Sequence, residues 1–370
     1  MPFNRELEAL IRAQSPNLDS YLVYADWLQA HGDPRGELIS LQCALSEGTP
    51  ERLPTLRERE RQLLRRHGRH FLGPNYRLLL STDLADLRWY RGFLLSASLR
   101  AHWDHSATAA ELVGALLRLN SARLLEELRV GLADNEGEND YTDVVGVIAS
   151  TAPHHSLSTL KIGECESDEA SLSITNSGDL TPLYGAVPGL RALSVRAGII
   201  QSGKIDLPEL REFTYVTCGL RRPALHRFCA ARWPRLEKLV LYLGEADCGA
   251  DCTIADIERL LVSLSSLTHL THLGLVNGEL ADMLPEALVR SEVLSRLHWL
   301  DLSMGLMSNA GARLLVMHAR RFEHLSWLGL DQNYIGRQGQ EELRRAFGDC
   351  VHLGLQNEDD ARWRSVSVRD

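Results

Sequence analysis

The apolar residues of this chain follow one pattern over most of its length, L-x-x-L-x-L with conservative replacements. Its copies begin at Leu125, Leu157, Leu190, Leu210, Leu236, Leu270, Leu297 and Leu325. The starts lie mostly 26 to 34 residues apart, with one shorter step between Leu190 and Leu210. A degenerate copy precedes them at Leu94, and a truncated one follows over residues 351–355. Internal repetition at this period predicts a stack of similar units.

Each copy is long enough for a short strand, a turn and a helix. The two alternating apolar positions of the strand point to the same side, and the first leucine and the following helix close a wedge around them. One such unit cannot bury its apolar face alone, so neighbouring units must stack. The pattern therefore predicts an α/β fold with parallel strands on one face and helices or irregular turns on the other.

The last copies resemble a known family of repeats. The segment Leu325-Ser-Trp-Leu-Gly-Leu-Asp-Gln-Asn-Tyr-Ile-Gly-Arg-Gln-Gly-Gln-Glu-Glu-Leu343 is similar to the ribonuclease-inhibitor class of leucine-rich repeat. The resemblance implies a leucine-rich-repeat solenoid with its strands on the concave face. In that family the position eight residues after the first leucine is usually Asn or Cys and faces inward. Here that position is small, Cys or Asn, namely Ala133, Cys165, Gly198, Cys218, Gly244, Gly278, Gly305 and Asn333.

The N-terminal residues predict a compact group of helices. Apolar residues follow helical spacing over 5–13, 21–31 and 37–45. Gly32 ends the second helix, and the Asp-Pro pair that follows it supplies an N-cap and a favoured first-turn residue for the third. An all-α unit is therefore expected ahead of the repeats.

The same residues resemble a small bacterial module. The runs Leu22-Val-Tyr-Ala-Asp-Trp-Leu28 and His31-Gly-Asp-Pro-Arg-Gly-Glu37, followed by Leu41-Gln42, are similar to the repeat-companion domain. The likeness covers about the first 46 residues. The family usually stands before leucine-rich or other repeats. The resemblance implies an N-terminal cap on the solenoid and brings no enzymatic activity with it.

An arginine-rich helix is predicted over residues 51–70. Its basic patch consists of Arg57, Arg61, Arg65 and Arg66. Interleaved glutamates favour a solvated charged face, and the alternative is a contact with nucleic acid or an acidic partner. Residues 87–99 predict the strand that starts the solenoid. The chain thus divides into a helical repeat-companion module, a helical connector, the solenoid and a C-terminal tail, at 1–46, 47–86, 87–355 and 356–370.

Composition narrows the class of protein. The chain has 370 residues, of which 44% are apolar and 24% charged, as in a folded protein. A net charge of −9 argues against nucleic acid as the main partner. No apolar run resembles a signal peptide or approaches the roughly 18 residues of a membrane span. Seven scattered cysteines argue against a disulfide framework, so we expect a cytoplasmic protein without membrane contact.

The sequence lacks the common motifs of catalysis and cofactor binding. It contains no P-loop, no G-x-S-x-G elbow and no H-E-x-x-H. Cys248 and Cys252 could share a helix face, but zinc needs four ligands and no second close pair is present. We therefore expect no metal, no cofactor and no enzyme. The alternative is an unrecognised enzyme in the N-terminal region, using nearby acid–base groups, namely Asp26, His31, Asp33 and Glu37.

The outward side chains of the stacked strands predict a binding surface. Residues two, four and six after each first leucine line the concave face, and the first column ends in an aromatic group. Because strands lie about 4.8 Å apart, the last two tryptophans of this column should stand side by side. The predicted surface consists of aromatic side chains with a polar border, namely Lys238, Tyr242, His272, Trp299, Asp301, Trp327 and Asp331.

Exposed aromatic side chains with a polar border are typical of protein-binding hot spots. The sequence therefore predicts a non-catalytic interaction module that acts as scaffold, sensor, inhibitor or regulatory substrate. Its partner would be another cytosolic protein, and a protease or effector encoded nearby is one version of that partner. The alternative for the two tryptophans is cover by the C-terminal tail, which contains Trp363.

Overall fold

The computed structural model describes residues 4–14, 17–135, 137–165, 169–358 and 364–369. The α-helices of these residues are α1 (Arg5–Gln14), α2 (Leu18–Ala30), α3 (Pro34–Glu47), α4 (Leu53–Arg66), α5 (Gly68–Leu72), α6 (Tyr76–Leu79), α7 (Ala109–Leu117), α8 (Thr142–Ser150), α9 (Thr181–Ala186), α10 (Arg222–Cys229), α11 (Ile254–Leu264), α12 (Leu284–Arg290), α13 (Asn309–Met317) and α14 (Arg337–Phe347). Short 3₁₀ helices lie at Asn120–Ala122, Ala246–Cys248, Glu279–Met283, Val293–Arg296, Ala319–Arg321 and Gly348–Cys350.

The strands are short and alternate with these helices. They are β1 (Ala85–Tyr90), β2 (Phe93–Leu99), β3 (Glu127–Val130), β4 (Thr159–Ile162), β5 (Asn176–Asp179), β6 (Ala192–Arg196), β7 (Ile199–Gln201), β8 (Glu212–Val216), β9 (Lys238–Gly244), β10 (His272–Gly278), β11 (Trp299–Asp301), β12 (Trp327–Gly329) and β13 (Val351–His352).

One large sheet organises the fold. Its eleven strands follow the order β1-β2-β3-β4-β6-β8-β9-β10-β11-β12-β13, which is the order of the chain. β1 and β2 are antiparallel, and each later neighbour in the sheet is parallel. The fold is therefore mixed α/β, as the repeat pattern predicts. A second sheet of two parallel strands, β5 and β7, was not predicted.

The register of the large sheet aligns the repeated leucines. Leu239 pairs with Leu273, Leu273 with Leu300, and Leu300 with Leu328. All four side chains are 0% exposed and belong to one core that continues along the sheet. Leu343 of α14 closes the same core from the helical side. Neighbouring units therefore bury each other's apolar surface, which no single unit could do alone.

A buried amide ties the last loops together. Asn333 is 0% exposed, and its Oδ1 accepts the backbone N–H of Met307 at 3.0 Å. Its Nδ2 donates to the carbonyl oxygens of Leu302 at 2.9 Å and Leu330 at 3.1 Å. A buried amide costs little when both its oxygen and its nitrogen have hydrogen-bond partners. Here these bonds also fix the spacing of two adjacent loops.

The single strand predicted over residues 87–99 is wrong in one respect, because the chain reverses within it. Arg91 and Gly92 have φ values of +47° and +80°, and they join β1 and β2 as a hairpin. Two successive residues with positive φ suit the tight turns that match strand twist. The N–H of Gly92 donates to Gln42 Oε1 at 2.7 Å, so the turn is held by α3.

The motif that resembles the repeat-companion domain has a structural role. Asp33 caps α3 by accepting the N–H of Arg35 at 2.9 Å. Arg35 is 1% exposed, and its guanidinium lies 5.7 Å from the ring centroid of Tyr24 and 5.6 Å from that of Phe93. Phe93 belongs to β2, so this buried cation joins α2 and α3 to the sheet.

Helices α2 and α3 approach each other closely at Gly36. A Cβ at this position would lie 2.5 Å from the carbonyl oxygen of Ala25 and 2.9 Å from the backbone nitrogen of Gln29. Both are backbone atoms of α2. The two helices would have to separate to admit even one methyl group.

We expect Gly36→Ala to lower the free energy of unfolding by about 2 kcal/mol through overpacking. Urea denaturation followed by circular dichroism measures the change. The matched control is Gly146→Ala in α8, where a Cβ meets nothing within 4 Å. This control should gain up to about 1 kcal/mol from helix propensity. A Gly36→Ala protein as stable as the parent would contradict the close packing of α2 on α3.

Candidate functional site

Four rings lie side by side across the last strands of the sheet, and we call them the aromatic ladder: His272, Trp299, Trp327 and His352. The register pairs His272 with Trp299 and Trp299 with Trp327. The two indoles have centroids 4.4 Å apart and an interplanar angle of 6°. His272 lies 5.9 Å from Trp299, and His352 lies 5.1 Å from Trp327. The ladder lies on the face of the sheet opposite the leucine core.

A glycine in β12 makes room for one of these rings. The outer edge of the Trp327 indole lies where a Cβ of Gly329 would be. The indole therefore leans along its own strand, over Gly329. Gly329 is also the register partner of His352, which explains why the imidazole meets the leaning indole. Sequence reasoning missed His352, although extending the register through Val351 would have placed it in the column of Asp301 and Gly329, next to the tryptophan column.

Carboxylates border the ladder. Asp301 follows Trp299 by two residues, and its Oδ1 accepts the N–H of Ser303 at 3.0 Å. Burial raises the pKa of Asp301 above its usual value, and the charge of Asp331 adds to this rise. The hydrogen bonds from Ser303 and the positive charge of Lys238 oppose it. Folding therefore disfavours the negatively charged form of Asp301 relative to its protonated form.

The other predicted residues of this surface act on one another electrostatically. Burial raises the pKa of Tyr242, and the charge of Asp301 contributes to the rise. Burial lowers the pKa of His272, and the charges of Lys238 and His298 lower it further. The imidazole of His272 is therefore neutral near pH 7. Asp331 is half-buried, and its carbonyl oxygen accepts the N–H of Met304 at 2.7 Å.

The basic patch lies elsewhere. The side chains of Arg57, Arg61, Arg65 and Arg66 are exposed on α4, which packs against α3. Arg61 pairs with Glu58 at 2.7 Å. The structure does not bring these arginines to the aromatic ladder, which lies on β10 to β13.

The acid–base groups of the N-terminal region are in separate contacts. The buried carboxylate of Asp33 lies 2.9 Å from His70 Nε2. Glu37 is exposed and lies 3.9 Å from Arg59, and Nδ1 of His31 lies 2.7 Å from the carbonyl oxygen of Trp27. Asp26 is exposed on α2. The four predicted groups, Asp26, His31, Asp33 and Glu37, are therefore not brought together.

The cysteine pair does not share a helix face. Cys248 lies in a 3₁₀ turn, and Cys252 precedes α11. The thiol of Cys252 donates to the carbonyl oxygen of Leu220 at 3.3 Å, and burial raises its pKa to about 12. Among the residues described, no three His, Cys, Asp or Glu side chains are grouped to hold a metal ion. The helices within this same part of the chain include none with the length and apolarity to cross a membrane.

The tail that could cover the tryptophans is described in part. Trp363 lies outside the described residues. Residues 364–369 hydrogen-bond to Tyr334, Met304 and Asn277, near the ends of β10 to β12. Both ladder indoles are half-buried rather than buried.

The chain matches no protein-family model and no curated protein. Among solved structures, a protein from Bacteroides fragilis is similar over 69% of this chain and 72% of its own, with 25% identity and a TM-score of 0.62. The two proteins therefore share a fold over most of their length. Internalin C2 from Listeria monocytogenes covers 71% of this chain and 81% of its own at 12% identity. Its TM-score of 0.29 is too low to carry an argument about fold.

The raised pKa of Asp301 predicts how stability depends on pH. Between the unfolded value of about 3.9 and the higher folded value, the folded chain binds more protons than the unfolded chain. This carboxyl therefore makes the free energy of unfolding fall as the pH rises through that window. Asp301→Asn removes the titration and keeps an oxygen that can accept the Ser303 N–H.

We expect the free energy of unfolding of Asp301→Asn, relative to wild type, to increase as the pH is raised from about 3 to neutrality. Urea titrations at stepped pH measure this difference. Asp86→Asn, at an exposed carboxylate of β1, corrects for the change in net charge. A difference that stays constant with pH after this correction would contradict the assignment.

Proposed function

We propose that this chain is a leucine-rich-repeat solenoid that works by binding another protein and catalyses no reaction. The repeat pattern, the chain-ordered parallel strands and the shared leucine core support the solenoid. In this proposal the N-terminal helices are a repeat-companion module that caps the first repeats. The boundaries remain 1–46 for the module, 47–86 for the connector, 87–355 for the solenoid and 356–370 for the tail.

The observation that carries the proposal is the stacked tryptophan pair on the outward face of the strands. The fold does not require rings there, because the equivalent positions of β4 and β6 hold Thr159 and Ala192. The leucines on the opposite side of the same strands already fill the core. The core therefore does not need the large side chains of Trp299 and Trp327.

A stacked indole pair suits protein recognition. Tryptophan offers a large contact area and loses little rotamer freedom on binding, and stacking holds each ring in place beforehand. Polar residues around the ladder, such as Lys238 beside His272 and Asp301 in the strand of Trp299, can orient a partner. We propose that the aromatic ladder is the hot spot of this surface, and that the partner is a cytosolic protein that the chain scaffolds, senses or inhibits.

The double variant Trp299→Ala with Trp327→Ala should lose the partner. We expect its dissociation constant to rise at least about 30-fold, about 2 kcal/mol, because hot-spot aromatics carry most of the binding energy. The partner is identified by affinity purification of the wild-type chain from its native cell and mass spectrometry, and the affinity is then measured by calorimetry.

Trp103→Ala is the matched control, since Trp103 is a tryptophan that is 77% exposed away from the ladder. It should bind the partner as the wild type does. A double variant that keeps the wild-type circular dichroism and still recovers the same partner at the same affinity would refute the proposed surface.

A further inference from the structure

The end of the chain runs back across the units that precede it. Residues 364–369 lie along the ends of β9 to β12 and contact one residue of each unit. We call these four residues the tail groove: Glu245, Asn277, Met304 and Tyr334. The segment therefore crosses four neighbouring units and does not cover the last strand alone.

The tail groove recognises the main chain of the tail. Asn277 contacts Val368 twice, with the Val368 N–H donating to Oδ1 at 2.7 Å and Nδ2 donating to the Val368 carbonyl at 2.8 Å. Tyr334 contacts Ser365 twice, with its hydroxyl 2.9 Å from the Ser365 carbonyl oxygen and 3.0 Å from the Ser365 nitrogen. These bonds do not depend on the side chains of the bound segment.

Two further hydrogen bonds also involve the main chain of the tail. The N–H of Ser367 donates to the carbonyl oxygen of Met304 at 3.1 Å, and the N–H of Val366 donates to Glu245 Oε2 at 3.4 Å. Six hydrogen bonds hold the main chain of four consecutive tail residues, and five of the six use side chains of the groove, those of Glu245, Asn277 and Tyr334. Recognition of this kind supplies affinity through the backbone of the bound segment and leaves specificity to its side chains.

The side chains of the tail show which features the groove selects. Val366 is 2% exposed, whereas the flanking Ser367 is exposed. Arg364 lies over the Tyr334 ring, 5.5 Å from its centroid. Arg369 shares a cavity with the carboxylates Glu245 and Asp247. The preferred segment therefore has a buried β-branched residue near its centre and a cation at each end.

The groove is built from specialised backbone. Two of its four residues, Asn277 and Met304, occupy the same position in successive copies, seven residues after the first leucine, and have φ values of +56° and +68°. The left-handed region costs roughly 1–2 kcal/mol for most residues other than glycine and asparagine, so the backbone strain here lies at Met304. Asn277 is also 0% exposed, although its amide serves the tail. Local strain beside a buried recognition group is typical of a binding site.

We propose that the tail groove is a second binding site of this protein, for a segment of another polypeptide with a β-branched anchor and flanking arginines, and that the chain's own C-terminal segment occupies it as an intramolecular competitor. The site does not depend on the proposed function of the aromatic ladder. A tethered competitor acts at a high effective concentration, so the incoming peptide must displace it or exploit its release.

The test uses the full-length chain and a fluorescein-labelled peptide with the sequence of residues 364–369. Val366→Asp places a charge at the buried anchor and should vacate the groove. We expect this variant to bind the peptide at least about 10-fold more tightly than the wild type does, because its tail no longer competes. Fluorescence anisotropy gives both dissociation constants.

Three controls make the outcome specific. Ser365→Pro removes the N–H that reaches Tyr334 without adding charge, and it serves as the second vacated variant if Val366→Asp does not fold. Asn277→Ala on either background should weaken peptide binding at least about 10-fold, since two bonds are lost. Trp299→Ala with Trp327→Ala should leave it unchanged. If a folded vacated variant does not bind the peptide, or binds it no better than the wild type, the proposal is overturned.

Discussion

The structure depends on the mutual burial of short parallel strands. A strand of two to seven residues with one apolar face cannot stay folded alone, and only its neighbours can cover that face. In the large sheet each buried apolar residue of a strand lies beside its counterpart in the next unit, so the register of one strand fixes that of the next. A slip of one residue would turn the leucines outward and the polar columns inward. The side chains on the outward face of the sheet are therefore aligned from strand to strand as strictly as the leucines of the core.

This alignment is why the candidate site forms. Trp299 and Trp327 are far apart in the chain and adjacent in the sheet because the leucines that follow them are register partners. The same alignment places the left-handed residues of successive copies in a row, where they meet the tail. The fold thus offers two surfaces of different chemistry: the aromatic ladder presents side chains, and the tail groove presents hydrogen bonds to a main chain.

Much of the large sheet and of the aromatic ladder was predictable from the sequence, because the repeated leucines mark the buried positions of each strand. The columns of the sheet, including Trp299 beside Trp327, follow from counting residues after each first leucine. Features set by contacts distant in sequence were missed. The reversal at Gly92 depends on Gln42 of α3 and interrupts a run that still alternates like one strand. His352 stacks on Trp327 only because Gly329 lets the indole lean.

The tail was missed for a different reason. Its hydrogen bonds to the groove use its own main chain, and main-chain recognition leaves little trace in the types of residue along the tail. Asn277 and Tyr334 carry polar groups that serve the tail, but nothing in a single sequence pairs them with residues 364–369. The short strands β5 and β7 likewise carry no repeat pattern, since their pairing lies outside the large sheet.

A double-mutant cycle on two register partners tests the shared core most directly. Leu300→Ala and Leu328→Ala, separately and together, should show a coupling of about 0.5–3 kcal/mol in the free energy of unfolding, because the two side chains line one continuous interior. Leu128→Ala with Leu328→Ala, distant along the sheet, should be additive within about 0.5 kcal/mol. Additive effects for the neighbouring pair would contradict the account, since the two leucines would then belong to independent cores.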